Sequence, residues 1–172
     1  LKAVLAQFAF LRPLRLRSLR SERGMAPPAS GKTPARRVVE AFGDCDALAA
    51  MYAPDVTWRL NHSLAPNVAG PHVGKEKVVG FNKAVFTKFY KPGSVIVDIL
   101  DEVGDEASSV VRFHFRATKP NGKPYYVEYV LFAKTRSGQV CEVVELLDTH
   151  ASNEQHAGRS EVGVPPAPSA KL

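Results

Sequence analysis

Residues 108–148 read SSVVRFHFRATKPNGKPYYVEYVLFAKTRSGQVCEVVELLD, and the fold turns on this stretch. Three segments, 108–118, 125–134 and 139–148, alternate with period two and are separated by turn residues. Such a pattern marks strands with their side chains pointing alternately to opposite faces. Val111, Phe113 and Phe115 therefore share one face, and Arg112, His114 and Arg116 the other. A fourth alternating segment, 94–101, precedes them, so the C-terminal half reads as an antiparallel meander.

The turns decide which side chains meet. Asn121-Gly122 is a two-residue hairpin signal. Centring the turn there sets Lys123 opposite Pro120, Val127 opposite Arg116, Tyr129 opposite His114 and Leu131 opposite Arg112. Arg136-Ser137-Gly138 suits a three-residue loop, which sets Glu145 opposite Tyr129 and Leu147 opposite Val127. The expected result is a row of His114, Tyr129 and Glu145, with Arg112 beside it and Val127, Leu131, Val143 and Leu147 around it. Cys141 joins that face as a small apolar filler. Titratable groups set in an apolar surround mark a site, because burying them unpaired costs several kcal/mol. A two-residue turn at Ser137-Gly138 would instead send Glu145 to the other face.

The opposite face collects Val111, Phe113, Phe115, Val130, Phe132, Val144 and Leu146, too apolar to be wet. If helices cover the His114 face, this one calls for a homodimer through the sheet. If helices cover the Phe face, the His114 row faces water and no site forms there.

The helices come first in the chain. Thr33-Pro34 is a helix start, with threonine as cap and proline in the first turn. Asp44 caps a second short helix presenting Leu48, Met51 and Tyr52, which Pro54-Asp55 stops. VTWRL follows as a strand, then the loop NHSLAPNVAGPHVG, with His62 and His72 on it. A third helix runs from Lys75 to about Tyr90 with Val78, Phe81, Val85 and Phe89 at helical spacing. Helices followed by a meander make an α+β domain, here a cone-shaped curved antiparallel sheet wrapped around about three N-terminal helices.

Charge bears on partners. The chain carries a net +6, but residues 1–24 hold +5 of it, and residues 33–151 balance 14 basic against 14 acidic side chains. A domain of zero net charge has no field to pull it onto a phosphate backbone, so nucleic acid is not an expected partner. Cys45 and Cys141 are the only cysteines and are far apart in sequence, which indicates neither a disulfide framework nor a zinc site. Glu145, Asp148 and His150 cluster in sequence, but a strand turns Glu145 away from the other two. No cofactor, metal or membrane span is expected.

The domain boundaries read as 1–32 for a basic extension and Pro/Ser linker, 33–151 for the domain, and 152–172 for a disordered tail. Residues 1–24 are Arg-rich and poor in acid, like an organellar transit peptide, or they are upstream sequence if translation starts at Met25. The location is correspondingly mitochondrial or another organelle, or cytoplasmic.

The segments FGDCDALAAMYAPDVTW, GPHVGKEKVVGF and LFAKTRSGQVCEVVELLDT follow one another in an order that resembles the SnoaL-like and nuclear transport factor two-like superfamily. Ketosteroid isomerase, polyketide cyclases and limonene epoxide hydrolase belong to it. The resemblance spans about residues 34–150 and implies helices closing a pocket on the concave sheet face. It is nearly silent about reaction, since the fold hosts many functions. The epoxide hydrolases' Arg-x-Asp falls on Arg112-Phe113-His114, and their second carboxylate on Glu145. Their water-positioning Tyr and Asn fall on Trp58 and Leu60, and the ketosteroid isomerase base also falls near Leu60, so neither mechanism transfers whole.

The expected catalytic set is therefore His114, Glu145 and Arg112. An imidazole can pass a proton either way near neutrality, a carboxylate in an apolar cleft becomes a usable base, and an arginine stabilises an oxyanion. Trp58, Tyr129, Leu60, Val127, Leu131, Leu147, Phe81 and Tyr52 are the expected substrate contacts. Cofactor-free isomerase, cyclase or epoxide-hydrolase chemistry on a small, mostly apolar, oxygenated molecule is one reading. A ligand-binding or protein-interaction domain of the same fold is the other.

Overall fold

The computed structural model describes residues 31–159. The transit-peptide reading and most of the tail lie outside these residues. Helix α1 (Pro34–Glu40) starts as its sequence dictates: Thr33 Oγ1 accepts the Arg36 amide, and Ala35 N–H donates to Ser109 Oγ at 2.9 Å, which pins the helix to the sheet. Helix α2 (Cys45–Met51) is capped by Asp44, whose carboxylate accepts two backbone amides. It gives way at once to β1 (Tyr52–Arg59), so Pro54 lies inside a strand rather than ending the helix. The loop after β1 contains a one-turn helix, α3 (Pro66–Ala69), and a two-residue strand, β2 (His72–Val73). Helix α4 (Lys75–Lys88) buries Val78, Asn82 and Phe86.

The meander follows as β3 (Ile96–Gly104), β4 (Ser108–Thr118), β5 (Pro124–Arg136) and β6 (Gln139–Leu147). A final helix, α5 (Thr149–His156), extends into the segment read as tail. The six strands form one curved, unclosed sheet in the order β2-β1-β6-β5-β4-β3, with β1 parallel to β6 and every other pair antiparallel. This is the α+β architecture expected, with the helices on the concave face.

The first hairpin corrects the expected register. Lys119 N–H bonds to Lys123 O and Gly122 N–H to Lys119 O, each at 2.9 Å, so the loop is the three residues Pro120-Asn121-Gly122. Gly122 takes φ +83°, as that loop type requires. The physical reason is Pro120. In a two-residue hairpin the flanking residues exchange both backbone bonds, and proline has no N–H to give. Thr118 therefore faces Pro124, His114 faces Glu128, and Phe113 faces Tyr129. One residue of slip has moved every β4 side chain to the other face.

The second hairpin differs twice, and the differences cancel. Ser137 and Gly138 form a two-residue turn, both at positive φ, with Arg136 opposite Gln139. That alone would turn Glu145 outward. A bulge then opposes Lys134-Thr135 to three residues, with Cys141 the extra one, so Glu145 lies opposite Leu131 and faces the helices. Cys141 is half-buried at this bulge and is not a filler beside Glu145.

The core accordingly combines Val111, Phe113 and Phe115 with Val127, Tyr129, Leu131 and Val143, all buried beneath α1, α2 and α4. The outer face carries the charged row: Arg112 pairs with Glu128 at 3.2 Å, His114 Nε2 lies 3.7 Å from the same carboxylate, and Arg116 bonds Asp98 at 2.9 Å. Val130, Phe132, Val144 and Leu146 lie on that face too, without the Val111, Phe113 and Phe115 expected to join them.

Candidate functional site

Between the helices and the concave face lies a cavity of about 220 Å³. Its floor is Phe115, Tyr125 and Tyr129 with Glu145 and Leu147 of β6. Trp58 of β1 and Leu60 just after it close one side, and Phe42, Phe81, Asn82 and Phe86 close the roof. The half-exposed or exposed residues Leu64, Ala65, Val85, Phe89, Asn153 and His156 ring its mouth, between the α3 loop, α4 and α5. His72 stacks on Phe81 (ring centroids 3.9 Å apart) and bonds Val68 O at 3.2 Å, tying that loop to α4.

Glu145 is the one carboxylate lining this space. It is only 7 % exposed and takes a single hydrogen bond, from Trp58 Nε1 to Oε2 at 2.9 Å. Burial raises its pKa to about 7, and the indole N–H opposes that rise only in part. The group is thus poised to gain or lose a proton near neutrality.

A second polar group lies on the same floor. Tyr125 OH bonds both Tyr129 OH and Ser152 Oγ, each at 2.8 Å. The buried Tyr90 hydroxyl also engages Tyr125 and Tyr129, so four hydroxyls share this cluster. Burial pushes the Tyr129 and Tyr125 phenols above their usual range, so they remain donors at neutral pH. Tyr129 is diagonal to Glu145 across β5 and β6, a relation that separates Cβ atoms by roughly 7 Å, and both side chains line the same cavity.

Helix α5 brings Ser152 to this network, and Gln155 holds α5. Where β6 has left the sheet, the Gln155 amide accepts Tyr126 N–H and donates to Tyr126 O, both at 2.8 Å, as a paired strand residue would. Lys119, itself buried, donates to Gln155 O.

Of the expected site residues, Glu145, Trp58, Leu60, Tyr129, Leu147 and Phe81 line the cavity. Val127 and Leu131 are buried in the floor beneath, and Tyr52 lies behind the wall with its hydroxyl bonded to Asn82 Oδ1 at 2.9 Å. His114 and Arg112 are on the outer face and do not reach the cavity, a consequence of the Pro120 turn. Tyr125 of β5 also lines the cavity, and Ser152, Asn153 and His156 escaped the sequence reading because α5 (THASNEQH) has almost no apolar periodicity. Among the described residues, no group of three or more His, Cys, Asp or Glu side chains could hold a metal ion, and no helix is long and apolar enough to cross a membrane.

Residues 35–143 match the SnoaL-like domain family, and the chain belongs to that family. The fold is shared with solved structures of low identity. An assigned isomerase from Rhodopseudomonas palustris is 19% identical, with 72% of this chain and 93% of that one covered at a TM-score of 0.60. An NTF2-like protein of unknown function from Burkholderia pseudomallei is 24% identical over 70% and 91%, at 0.59. TerC, co-crystallized with polyporic acid, is 18% identical over 70% and 93%, at 0.60. No curated protein matches the chain.

Proposed function

We propose that this SnoaL-like chain is a cofactor-free acid–base enzyme of the isomerase or cyclase class, acting on a small, mostly apolar molecule with a carbonyl or enolisable oxygen. The observation that carries the reading is the Glu145 carboxyl: buried in an aromatic cavity, held by one indole N–H, with a pKa of about 7. The ionised carboxyl takes a proton from a carbon next to the carbonyl, and the electron pair moves onto the oxygen. A hydroxyl of the Tyr90–Tyr125–Tyr129–Ser152 cluster donates to that oxygen as charge develops. Glu145 then returns the proton to the same or another carbon, completing an isomerisation. Alternatively the enolate carbon attacks a second carbonyl and closes a ring, the first C=O re-forms, and the new alkoxide takes the proton held by Glu145. Structural neighbours assigned as an isomerase and a SnoaL-like polyketide cyclase are named for this kind of chemistry.

The test is hydrogen–deuterium exchange into carbonyl compounds in heavy water, with a Glu145→Gln variant and His114→Ala as an outer-face control. A positioned base contributes on the order of 10²–10⁴ in rate. Glu145→Gln should therefore abolish exchange while ligand affinity and fold persist, and His114→Ala should leave both unchanged. Unaltered exchange in Glu145→Gln removes the enzyme reading and leaves a binding protein.

The outer face supports a second reading, a homodimer. Val103, Ile96 and Phe132 are 61%, 50% and 40% exposed there, beside Val130 and Val144. A second copy of the chain is the economical cover for that lane.

A further inference from the structure

Helix α4 buries one stripe, Val78, Asn82 and Phe86, spaced four residues apart. An asparagine in the middle of that stripe is costly twice over. It is a poor helix former at an interior position, and an amide buried without partners costs far more than a hydrocarbon of the same shape. Asn82 is only 3% exposed, and half of its amide is accounted for. Tyr52 OH donates to Asn82 Oδ1 at 2.9 Å, tying the start of β1 to α4. Tyr52 is fully buried and has no other acceptor among the described residues, so its O–H fixes which way round the amide sits: oxygen toward Tyr52, nitrogen away. Burial holds that phenol far above its usual range, and it remains a donor at neutral pH. The amide nitrogen, with two N–H groups, has no protein partner among the described residues, and it is not sealed inside the packing either. It opens onto the cavity, whose roof Asn82 helps to form. The tie to Tyr52 explains the oxygen but not two idle donors. Across the cavity the tyrosine cluster centres on β5 in the floor, so roof and floor each present hydrogen-bond donors to the same space.

We propose that Asn82 is a specificity-determining residue: its amide N–H, turned inward by Tyr52, donates to a ligand oxygen at the roof, so the cavity selects molecules with acceptor oxygens on two opposite edges over molecules with one. This rests on the cavity being the ligand site, and not on Glu145 acting as a base. Tyr52 is the positioning residue, because its O–H keeps the amide from turning over. A ligand that is apolar at the roof cuts the N–H groups off from water and leaves them unpaired, and that penalty is what discriminates.

The test compares 1,4-diacetylbenzene with 4-ethylacetophenone, uncharged probes of nearly equal size that differ in one carbonyl oxygen. Binding to the full chain is read by calorimetry and by quenching of Trp58, the only tryptophan, which lines the cavity. The diketone should bind about tenfold more tightly, one decade in Kd. Asn82→Leu combined with Tyr52→Phe replaces the bonded pair by apolar groups of similar shape, a change that folding tolerates. It should erase the preference while 4-ethylacetophenone still binds. Tyr52→Phe alone leaves the amide in place but free to turn, and should reduce the preference. Equal affinity for the two probes in the unaltered chain, or an undiminished preference in the double variant, overturns the proposal. Either result leaves the Glu145 chemistry standing, since deuterium exchange reads that separately. Loss of both probes in a folded double variant assigns the pair to the shape of the cavity and also overturns the proposal. Should the double variant not fold, an unchanged preference in Tyr52→Phe overturns it. If neither probe binds the unaltered chain, the cavity reading falls and takes this one with it.

Discussion

Replacing Glu145 with glutamine should change how stability depends on pH, and the size of the change follows from the burial. In the unfolded chain the carboxyl titrates at its ordinary value, 4.5, and in the folded chain at about 7. A folded pKa above the unfolded one means that the folded state holds the proton more tightly. Stability from this group is therefore fully present below pH 4.5 and is lost as pH rises through 7. With about 1.4 kcal/mol per pKa unit, the loss grows from about 1 kcal/mol at pH 5 to about 3 kcal/mol at pH 8. Glutamine has nearly the same shape, can still accept the Trp58 N–H, and does not titrate. The stability of Glu145→Gln relative to the unaltered protein should thus rise by about 2 kcal/mol between pH 5 and pH 8. Urea unfolding followed by Trp58 fluorescence at the two pH values measures it, because that indole is 1% exposed when folded. Parallel stability–pH curves for the two proteins would refute the assignment of a raised pKa to a dry Glu145, and with it the poised base.

Gln155→Ala removes both partners of the Tyr126 backbone, and an unpaired buried polar group costs about 1–3 kcal/mol. The urea midpoint should fall, and amide exchange at Tyr126 should quicken well before global unfolding. An unchanged midpoint with a protected Tyr126 amide would show that α5 is held by something else. Phe132→Lys on the outer face should convert a dimer to a monomer in sedimentation experiments without touching the cavity. A monomeric parent, or a dimer indifferent to the change, would remove the sheet-face interface.

Much of this protein is legible along the chain. Thr33-Pro34 and Asp44 start helices because a side-chain oxygen next to a helical run satisfies the first free amides. The period-two pattern of residues 108–148 makes strands for equally local reasons. Glu145 was visible as a carboxyl among Val143 and Leu147, and its inward orientation survived even though the turn before it was read one residue too long. Pro120 was also a readable signal: its missing N–H rules out the hairpin centred on Asn121-Gly122, and that one residue decides whether His114 or Phe113 faces the helices. The bulge at Cys141 has no comparable mark, because an extra residue in a ladder is settled by which register lets both faces pack. The partnership of Gln155 with Tyr126, which delivers Ser152 to the tyrosine hydroxyls, is likewise tertiary. Its donors and acceptors are 29 residues apart and acquire meaning only where β6 leaves the sheet. Local chemistry determined the elements and supplied the carboxyl; the pairing of strands across turns decided which groups share the cavity, because a shift of one residue exchanges the two faces of a sheet.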